Sequence, residues 1–431
     1  MAKKKQELTP EERLAAALVP EEEQPYELPE GWRWIMVKGL CTLNNGKAFK
    51  PKDWNNSGIP IVRIQNLNDR KAIYHYYDGD IEDRFRLHGD ELLFAWSGTP
   101  GTSFGAHIWH GKEAVLNQHI FRVDFDDKFL DKKFFKYALN QQLTLLINKA
   151  HGGAGLQHVT KKVMESTPIC VPPFSEQQRI VARIESLFAK LDAAKEKVQS
   201  VLDAHEARKA ALLHDAFTGK LTAKWRTEQG IDENVYRRVP LAEVCNSIFD
   251  GDHMPPPKSS SGIPFLVISN VNTGKVNFSD TRFVPQDYYD ALTDTRKPQN
   301  GDVLYTLVGT YGIPVLVDTD QAFCFQRHMA LLKPREDTVL QKYLWYALQE
   351  RNFYREATKI AKGTAQLTVP IKGLRQLTIP MASLLEQQEL VRILDRLLDR
   401  EETVRQSAES VLESIDRMKQ SILARAFRGE L

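Results

Sequence analysis

The chain has 431 residues, and its 58 Lys and Arg nearly balance its 56 Asp and Glu, which gives a formal net charge of +2. This charge does not by itself indicate a nucleic-acid-binding protein, although it permits locally basic faces. No apolar run approaches the roughly 18 to 20 residues of a membrane span, and the residues that follow Met1-Ala2-Lys3-Lys4-Lys5 are polar rather than signal-like. The composition therefore predicts a cytoplasmic globular protein of about two to four domains, with no membrane partner.

The first domain is predicted to have a mixed α/β fold. Short runs of β-branched and aromatic residues indicate strands at about 59–64, 92–96 and 120–123, and an amphipathic run with Phe134, Phe135, Ala138 and Leu139 as core candidates indicates a helix at about 131–149. A loop rich in small residues follows at 151–158. Its glycines allow the backbone to approach a phosphate, and its His and Gln side chains can reach base edges. A simple turn is the alternative interpretation.

A long helix is predicted next, over residues 176–217. Its apolar residues alternate in steps of three and four, which is typical of a coiled-coil seam. Ser175 resembles an N-cap, and Gly219 lies just past the C-terminal end. A surface helix packed on its own domain is the alternative. The predicted seam residues of this helix and of its later copy are Ile180, Ile184, Leu187, Leu191, Val198, Val201, Leu390, Leu394, Leu397, Val404, Val411, Ile415, Met418 and Ile422.

The second half of the chain repeats this order. Strands are predicted at about 263–268, 303–307 and 329–332, a helix at about 339–357 and a loop at 362–366, before the second long helix begins. The sequence Glu176-Gln177-Gln178 returns at 386–388, and the helix end at 216–221 returns at 426–431, both at an offset of 210. Within the domains only framework positions recur, which is expected when a shared scaffold carries different recognition loops.

These patterns predict an α/β (mixed α+β) chain with an internal pseudo-twofold repeat, in which two similar domains are separated by two long antiparallel coiled-coil helices. The four widely spaced cysteines are predicted to be reduced and buried rather than paired or metal-bound. They are Cys41, Cys170, Cys245 and Cys324. The predicted boundaries are an N-terminal arm at 1–26, a first domain at 27–173, a first spacer helix at 174–218, a linker at 219–236, a second domain at 237–383 and a second spacer helix at 384–431.

The residues expected to contact a nucleic acid lie in loops of both domains. Lys side chains and glycine amides suit phosphate, whereas Gln, His, Thr and Tyr suit base edges. For each of these residues a solvated surface position is the alternative. The first-domain candidates are Lys47, Lys50, Lys52, Tyr76, Ser97, Thr99, Thr102, His151, Gln157 and His158, and the second-domain candidates are His253, Lys258, Thr306, Thr310, Tyr311, Lys362, Thr364 and Gln366.

Three sequence signatures together resemble one family. They are the domain entrance at 28–32 (Leu-Pro-Glu-Gly-Trp), the duplicated Glu-Gln-Gln helix start and the duplicated Ala-Phe-x-Gly helix end. At these positions, and over nearly its whole length, the chain resembles the DNA specificity (S) subunits of type I restriction-modification systems. The resemblance implies two target recognition domains that each read one half of an asymmetric bipartite site in double-stranded DNA, and two helical regions that bind methyltransferase (modification) subunits and set the half-site separation.

The same resemblance implies that the chain is not catalytic. S-adenosylmethionine, ATP and Mg are expected in the methyltransferase and restriction/translocase subunits, with no cofactor, metal or catalytic residue in this chain. The sequence also lacks two catalytic motifs. Val171 stands before Pro172-Pro173-Phe174, where an amino-methyltransferase would need Asn or Asp, and the glycines form no phosphate-binding loop. A two-headed coiled-coil adaptor for protein partners and an autonomous DNA-modifying enzyme are the alternatives.

Two polar residues, His205 and Arg208, interrupt the seam of the first long helix. If an antiparallel pair sets Ile180 opposite Ile422, the numbers of partner residues add to about 602, and Val201 lies opposite Glu401. We hypothesise that Glu401 pairs with His205 or Arg208 and holds the helix register. The alternative is that these residues face solvent where methyltransferase helices pack.

Overall fold

The computed structural model describes residues 10–69, 71–98, 104–148, 157–231, 236–251, 256–364 and 366–431. These residues form two compact units. The first contains the described residues of Met1–Lys197 together with Val411–Leu431, and the second contains those of Val198–Ser410.

The first unit is a mixture of short strands and helices. In chain order these are α1 (Pro10–Ala15), β1 (Arg33–Met36), α2 (Val37–Leu40), β2 (Cys41–Asn45), β3 (Ile59–Val62), α3 (Ile64–Asn68), β4 (His75–Tyr77), β5 (Arg86–Leu87), β6 (Leu92–Ala95), β7 (Ser97–Gly98), β8 (Gly105–Ile108), β9 (Ala114–Leu116), β10 (Ile120–Phe125), α4 (Lys132–Gln141), α5 (Leu143–Asn148), β11 (Gln157–His158), α6 (Lys161–Glu165), β12 (Pro168–Val171) and α7 (Phe174–Asp203).

The first unit contains two four-stranded sheets. One is antiparallel with the order β2-β10-β6-β8, and the other has the order β4-β3-β9-β5 with β3 and β9 parallel. The pairs β1-β12 and β7-β11 complete the pairing. The strands predicted at about 59–64, 92–96 and 120–123 are confirmed within two residues at each end.

The second unit repeats the same plan. Its elements are α8 (His205–Phe217), α9 (Ala223–Gln229), β13 (Arg237–Pro240), α10 (Leu241–Val244), β14 (Cys245–Asp250), β15 (Ile263–Leu266), β16 (Arg282–Val284), α11 (Gln286–Asp290), β17 (Val303–Thr306), β18 (Pro314–Leu316), β19 (Cys324–Phe325), β20 (Met329–Pro334), α12 (Gln341–Gln349), α13 (Arg351–Ile360), α14 (Ile371–Leu374), β21 (Thr378–Met381) and α15 (Leu384–Ala426), whose C-terminal part belongs to the first unit.

The sheets of the second unit have the orders β14-β20-β17-β18, β16-β15-β19 and β13-β21. Strand for strand, the first of these matches β2-β10-β6-β8 of the first unit, and the parallel pair β15-β19 matches β3-β9. The predicted internal repeat is therefore a repeat of topology as well as of sequence.

Each domain helix that was predicted as one piece is two helices. The run at 131–149 becomes α4 and α5, and the run at 339–357 becomes α12 and α13. The second break has a clear cause, because Glu350 is extended (φ −63°, ψ 135°) and its carboxylate accepts a hydrogen bond from the backbone N–H of Asn352 at 2.8 Å. Glu350 therefore ends one helix and caps the next. The predicted core face of α4 is confirmed, since Phe134, Phe135, Ala138 and Leu139 are all buried.

The N-terminal segment packs on the first unit from Leu14 onward. Ala17 and Val19 are buried in the same cluster as Trp34 and Phe427. The backbone N–H of Val19 donates to the carbonyl of Trp34 at 3.0 Å. This part of the predicted arm thus belongs to the core, because Ala17 and Val19 face inward on either side of the exposed Leu18, which bridges Ile35 of β1.

The duplicated Glu-Gln-Gln signature anchors the start of each long helix. Gln177 is completely buried, accepts from the N–H of Asp131 at 2.8 Å and donates to the carbonyls of Phe129 and Pro172. Gln387 does the same with the N–H of Leu340 at 2.9 Å and two carbonyls. All six partners are backbone groups, so each glutamine fixes its helix to its own domain whatever the side chains around it.

The predicted N-cap at Ser175 is wrong. Helix α7 begins one residue earlier, at Phe174, and the N–H groups of Glu176 and Gln177 bond to the carbonyl of Pro173. At the corresponding position of the second helix, Ser383 accepts from the N–H of Glu386 at 3.3 Å. A side-chain cap therefore exists only in the second copy, because the position of Ser383 is taken by Pro173 in the first copy.

The duplicated Ala-Phe-x-Gly signature closes each helical region. Gly219 and Gly429 have φ values of 80° and 76°, as predicted for residues just past a helix end. A Cβ at Gly219 would also meet the ring of Tyr236 at 2.5 Å. Phe217 and Phe427 are buried, and their rings lie 5.3 Å from those of Tyr343 and Phe134, respectively.

The linker between the two repeats is held by a buried ion pair. Arg226 of α9 donates to Glu386 at 2.6 Å, and the same carboxylate oxygen accepts from Thr222 and Tyr236. Arg226 and Glu386 are both buried. Removing one partner would leave a buried charge, so this pair fixes the linker helix against the start of α15.

The predicted seam is fully buried at five positions. In the first unit Ile180, Ile184 and Ile415 are buried, and in the second Leu390 and Leu394 are. Four predicted seam positions are more than a third exposed: Val201 (37%), Val404 (37%), Val411 (44%) and Met418 (45%). Ile180, Ile184, Leu390 and Leu394 are buried because they belong to the cores of the domains, whereas Ile415 is buried although it belongs to neither core. The remaining seam residues, Leu187, Leu191, Val198, Leu397 and Ile422, are half-buried.

The helices are antiparallel, but their register differs from the predicted one. In the first unit Lys195 and Lys419 form ion pairs with Asp416 (3.1 Å) and Asp192, and in the second unit Arg208 donates to Glu401 at 2.7 Å. The numbers of each pair add to 611 or 609 rather than about 602. The register is thus shifted by about one heptad, because domain packing rather than the apolar repeat aligns the helices.

The hypothesised partner of Glu401 is confirmed. Its carboxylate binds the Arg208 guanidinium, and the Nδ1 atom of His205 lies 3.9 Å away. A polar contact in an apolar seam is a known way to specify register. The pair therefore lies where it can favour one register of the two helices. Both side chains are partly exposed to water, which limits the contribution of the pair to stability.

We expect the substitution Glu401→Leu to lower the free energy of unfolding by about 1 kcal/mol, since it removes one half-exposed charged hydrogen bond. The family resemblance further implies that the substitution reduces methylation of DNA at the native half-site spacing. Glu402→Leu is the matched control, because Glu402 pairs with Arg405 on its own helix. Chemical denaturation and methylome mapping measure both effects. An unchanged spacing together with unchanged stability in the Glu401 variant would remove the register role.

The predicted burial of the cysteines is confirmed at all four positions. Burial raises the pKa of the thiols of Cys170 and Cys245 to about 12. Across the described residues, no helix is both long enough and apolar enough to cross a membrane.

Candidate nucleic-acid interface

Loops from distant parts of the first domain meet at one edge of the sheet β2-β10-β6-β8. Strands β2 and β6 end there, and β10, which is antiparallel to both, begins there. The N–H of Lys47 donates to the carbonyl of Leu116 at 2.8 Å, and the N–H of Trp96 donates to that of His119 at 3.3 Å. Three chain segments therefore share this edge.

The small-residue loop returns to the same edge. Strand β11 pairs with β7, which places His158 opposite Ser97, and the N–H of Val159 donates to the carbonyl of Trp96 at 3.0 Å. We call the residues at this edge, 47–52, 97–98, 117–119 and 157–158, the first loop cluster.

The second unit builds the same cluster from different residues. The N–H of Leu307 donates to the carbonyl of His328 at 2.7 Å, and the carbonyl of Leu307 accepts from Val369 at 2.9 Å. The N–H of Gly309 donates to the carbonyl of Leu367 at 3.0 Å. The second loop cluster consists of Gly251 and residues 308–313, 326–328, 362–364 and 366–368.

The structure brings most predicted second-domain residues together. Thr310 and Tyr311 lie on the first loop of the second cluster, and Lys362, Thr364 and Gln366 lie on the last. The two loops touch, since a Cβ at Gly309 would lie 3.1 Å from the side-chain amide of Gln366. All of these residues except the half-buried Tyr311 are exposed.

Two predicted contacts are corrected by burial. Thr306 is 1% exposed, and its hydroxyl donates to the carbonyl of Thr310 at 2.8 Å and accepts from the N–H of Ile313 at 2.9 Å. Ser97 is 4% exposed. The Thr306 hydroxyl shapes the loop from inside, because it bonds two backbone groups at a tight turn. Both side chains are buried, so neither is placed to contact a base.

The lysines of the first domain divide into two kinds. The Nζ atom of Lys47 donates to the hydroxyl of Tyr77 at 2.9 Å and lies 4.3 Å from its ring centroid, so this ammonium already has a partner. Lys50 and Lys52 are exposed on the same loop. Tyr76 lies on β4, opposite Pro60.

Several predicted residues cannot be placed as side chains. Thr99, Thr102, His151 and His253 lie outside the described residues, and the side chains of Gln157 and His158 do as well. Lys258 is exposed next to Ser259, which bridges Phe283 on the smaller sheet of the second unit.

The sequence interpretation missed the central loop of each cluster. Residues 117–119 precede β10, and residues 326–328 precede β20. Within them His119 and His328 recur at an offset of 209, the offset of the following helices, which was the available signal. Burial and the nearby Arg327 lower the pKa of His328. Its imidazole is therefore neutral near pH 7 and has both a donor and an acceptor nitrogen.

An aromatic stack also lies outside the predicted set. The rings of Trp54 and His75 are parallel within 10° with centroids 4.2 Å apart, and Arg63 lies 5.4 Å from the Trp54 ring. Burial and Arg63 lower the pKa of His75. This histidine is thus part of a stack, and among the described residues no group of three or more His, Cys, Asp and Glu is arranged to hold a metal ion.

The comparison with known families agrees with this duplicated architecture. The model of the type I restriction modification DNA specificity domain matches the chain twice, at residues 29–202 and 238–413. The two matches together cover more than half of the chain.

Curated relatives and solved structures extend the likeness over most of the chain. The specificity subunit of the type I restriction enzyme EcoBI from Escherichia coli is 25% identical over 93% of this chain and 86% of its own length. The MjaVIII specificity subunit from Methanocaldococcus jannaschii is 26% identical over 86% of this chain and 88% of its own length.

Two solved structures share the fold at 21% identity. The HsdS subunit from Thermoanaerobacter tengcongensis has a TM-score of 0.59 and covers 95% of this chain and 100% of that one. A chain from work on complex assembly and conformational transition of the type I R-M system has a TM-score of 0.72 and covers 94% and 100%. Given the double match over both units, the chain belongs to the family of type I restriction-modification DNA specificity proteins.

Proposed function

We propose that each unit reads one half of an asymmetric bipartite site in double-stranded DNA through its loop cluster. The observation that carries this proposal is the construction of the same cluster twice, at the same sheet edge, with different side chains. Equal scaffolds give both clusters the same backbone frame, and unequal side chains give them different donor and acceptor patterns. Two different half-sites are the expected result.

The long helices are proposed to bind methyltransferase subunits and to set the distance between the half-sites. The exposed apolar residues Val201 and Val404 in the second unit, and Val411 and Met418 in the first, support this role. Covering these apolar side chains with a partner helix removes them from water and so lowers the free energy of the complex. Restriction/translocase subunits would then join the complex formed by specificity and methyltransferase subunits.

The chemistry is proposed to lie in those partners. They would bind S-adenosylmethionine, ATP and Mg, while this chain selects the DNA and positions it. Because the substrate is cellular DNA, we propose a cytoplasmic location for the complex. The adaptor for protein ligands and the autonomous enzyme are not favoured by any feature of the loop clusters.

We expect the purified chain alone to transfer no methyl group to DNA and to hydrolyse no ATP, whereas adding the methyltransferase subunits restores methylation of a defined motif. Transfer of tritiated methyl groups to genomic DNA measures the first activity, and phosphate release measures the second. A bipartite motif in the methylome of cells that contain the complete complex is the positive control. Methyl transfer by the highly purified chain alone would contradict the assignment.

A further inference from the structure

Helix α13 of the second unit presents a polar face that the core does not use. Its residues follow the spacing i, i+3, i+4 and i+7, which places them on one side of the helix. The set consists of Arg351, Tyr354, Arg355 and Thr358, all exposed. Phe353 and Ala357 are buried on the other side and therefore fix which way the helix faces.

An aromatic contact joins this face to the second loop cluster. The rings of Tyr354 and Tyr311 are parallel within 6°, with centroids 5.6 Å apart, and the Tyr311 hydroxyl donates to the hydroxyl of Thr358 at 3.1 Å. Gly312 has a φ of 92°, and a Cβ there would lie 2.5 Å from the Tyr354 ring. Glycine thus lets the ring lie against the loop, and the helix face continues the surface of the cluster.

Two guanidinium groups on this face lack an anionic partner. Within the described part of the chain, the Arg351 side chain makes no hydrogen bond or ion pair, and that of Arg355 has only the amide oxygen of Asn352 at 3.5 Å. Lys359 of the same helix differs, because Glu356 binds it at 2.7 Å.

The acidic groups near the helix are already engaged or exposed to water. Glu206 lines the same groove as Arg351 and Tyr354, but its side chain is 85% exposed and forms no ion pair with either arginine. Glu350 caps α13 and faces His214 at 3.6 Å. The two arginines are therefore available to an anion from outside the chain.

In the first unit, the described residues form no counterpart of this face. The corresponding helix, α5, has the sequence Leu-Thr-Leu-Leu-Ile-Asn, without a basic or aromatic residue. Over the residues that the structure describes, the face is therefore particular to the second unit.

We propose that Arg351, Tyr354, Arg355 and Thr358 form a binding face for the sugar-phosphate backbone of DNA, next to the half-site that the second loop cluster reads. This proposal rests on the proposed DNA-reading function. The guanidinium groups bond phosphate oxygens, and the Tyr354 hydroxyl bonds a phosphate or sugar oxygen. Thr358 donates to the carbonyl of Tyr354 at 2.8 Å and accepts from Tyr311, so its hydroxyl orients the face rather than binding the phosphate. Such contacts position the duplex and add affinity without specifying a base.

The test uses the complex with methyltransferase subunits and a duplex that carries its methylated motif. We expect the double variant Arg351→Gln/Arg355→Gln to bind this duplex more weakly. The plot of log affinity against log salt concentration should become shallower by about 0.9 for each lost phosphate contact. Between 50 and 200 mM salt, the variant should therefore lose about tenfold less affinity than the wild type does. The methylated motif should stay the same.

Two matched variants separate the face from general charge effects. Arg351→Lys/Arg355→Lys keeps both charges and should keep the salt slope, whereas Lys359→Gln removes a charge that Glu356 already neutralises and should change it little. An unchanged slope and affinity in the double Gln variant would overturn the proposal. Loss of methyltransferase copurification with an unchanged slope would also overturn it and identify a protein contact instead. If the wild-type complex methylates no bipartite motif, the DNA-reading function itself fails, independently of these variants.

Discussion

Replacing residues 237–383 with the corresponding domain of another type I specificity subunit is expected to change one half of the methylated motif completely and to leave the other half intact. The exchanged segment contains the whole second loop cluster, whereas the first cluster lies outside it. Methylome mapping of cells that express the hybrid with its methyltransferase subunits gives the result directly.

Both ends of the exchanged segment lie on or beside paired strands, which favours correct folding of the hybrid. The segment begins on β13 and ends just after β21, and these strands are paired, with Arg237 opposite Met381. Both junctions therefore lie at one place. Gln387 of the retained helix bonds only backbone groups of the exchanged domain, so a new domain with the same fold can supply the same partners.

The reciprocal exchange provides the control. Residues 33–171 begin and end on the paired strands β1 and β12, with Arg33 opposite Val171. Their replacement should change only the other half of the motif. If either exchange altered both halves together, the two clusters would not be independent readers.

A matched insertion of seven residues in both long helices, after Lys197 in α7 and after Ser410 in α15, is expected to abolish methylation at the native spacing. Seven residues are nearly two helical turns and add about 10.5 Å, so each helix keeps its face. This length corresponds to about three base pairs of DNA rise. Any restored activity should therefore appear on half-sites separated by about three more base pairs.

The matched design keeps the known contacts between the helices. The ion pairs Lys195–Asp416 and Arg208–Glu401 lie on opposite sides of the insertion points and can both form again. Inserting the residues in α7 alone would shift one helix against the other and should abolish binding at every spacing. A library of duplexes with varied spacers measures the outcome. Undiminished methylation at the original spacing by the doubly extended chain would show that the helices do not set the separation.

Local sequence patterns were sufficient for most of the scaffold. The strand at Leu92–Ala95 and the buried face of α4 with Phe134 were predictable, because periodicity reports which side of an element is buried. The helix break at Glu350 was not predicted, since an acidic residue in a helical pattern does not show whether its carboxylate will cap the next turn.

The candidate site was only partly predictable for a different reason. The loops around Ser97 and His158 were both chosen from their composition, but nothing local showed that they pair. The burial of Thr306 and the central loop with His328 depend on the same long-range assembly. Residues that meet at a sheet edge are brought there by strand order, which no short stretch of sequence encodes.

By itself, the sequence determined the internal repeat, the family and the presence of two recognition scaffolds, because duplicated signatures at one offset are legible without coordinates. Only the tertiary structure decided the register of the long helices. The apolar repeat is satisfied equally well after a shift of one heptad, so periodicity cannot choose between registers. In the first unit the choice follows from two anchors on one domain, because Gln177 ties the start of α7 to the backbone of Asp131 and Phe427 at the end of α15 packs against Phe134.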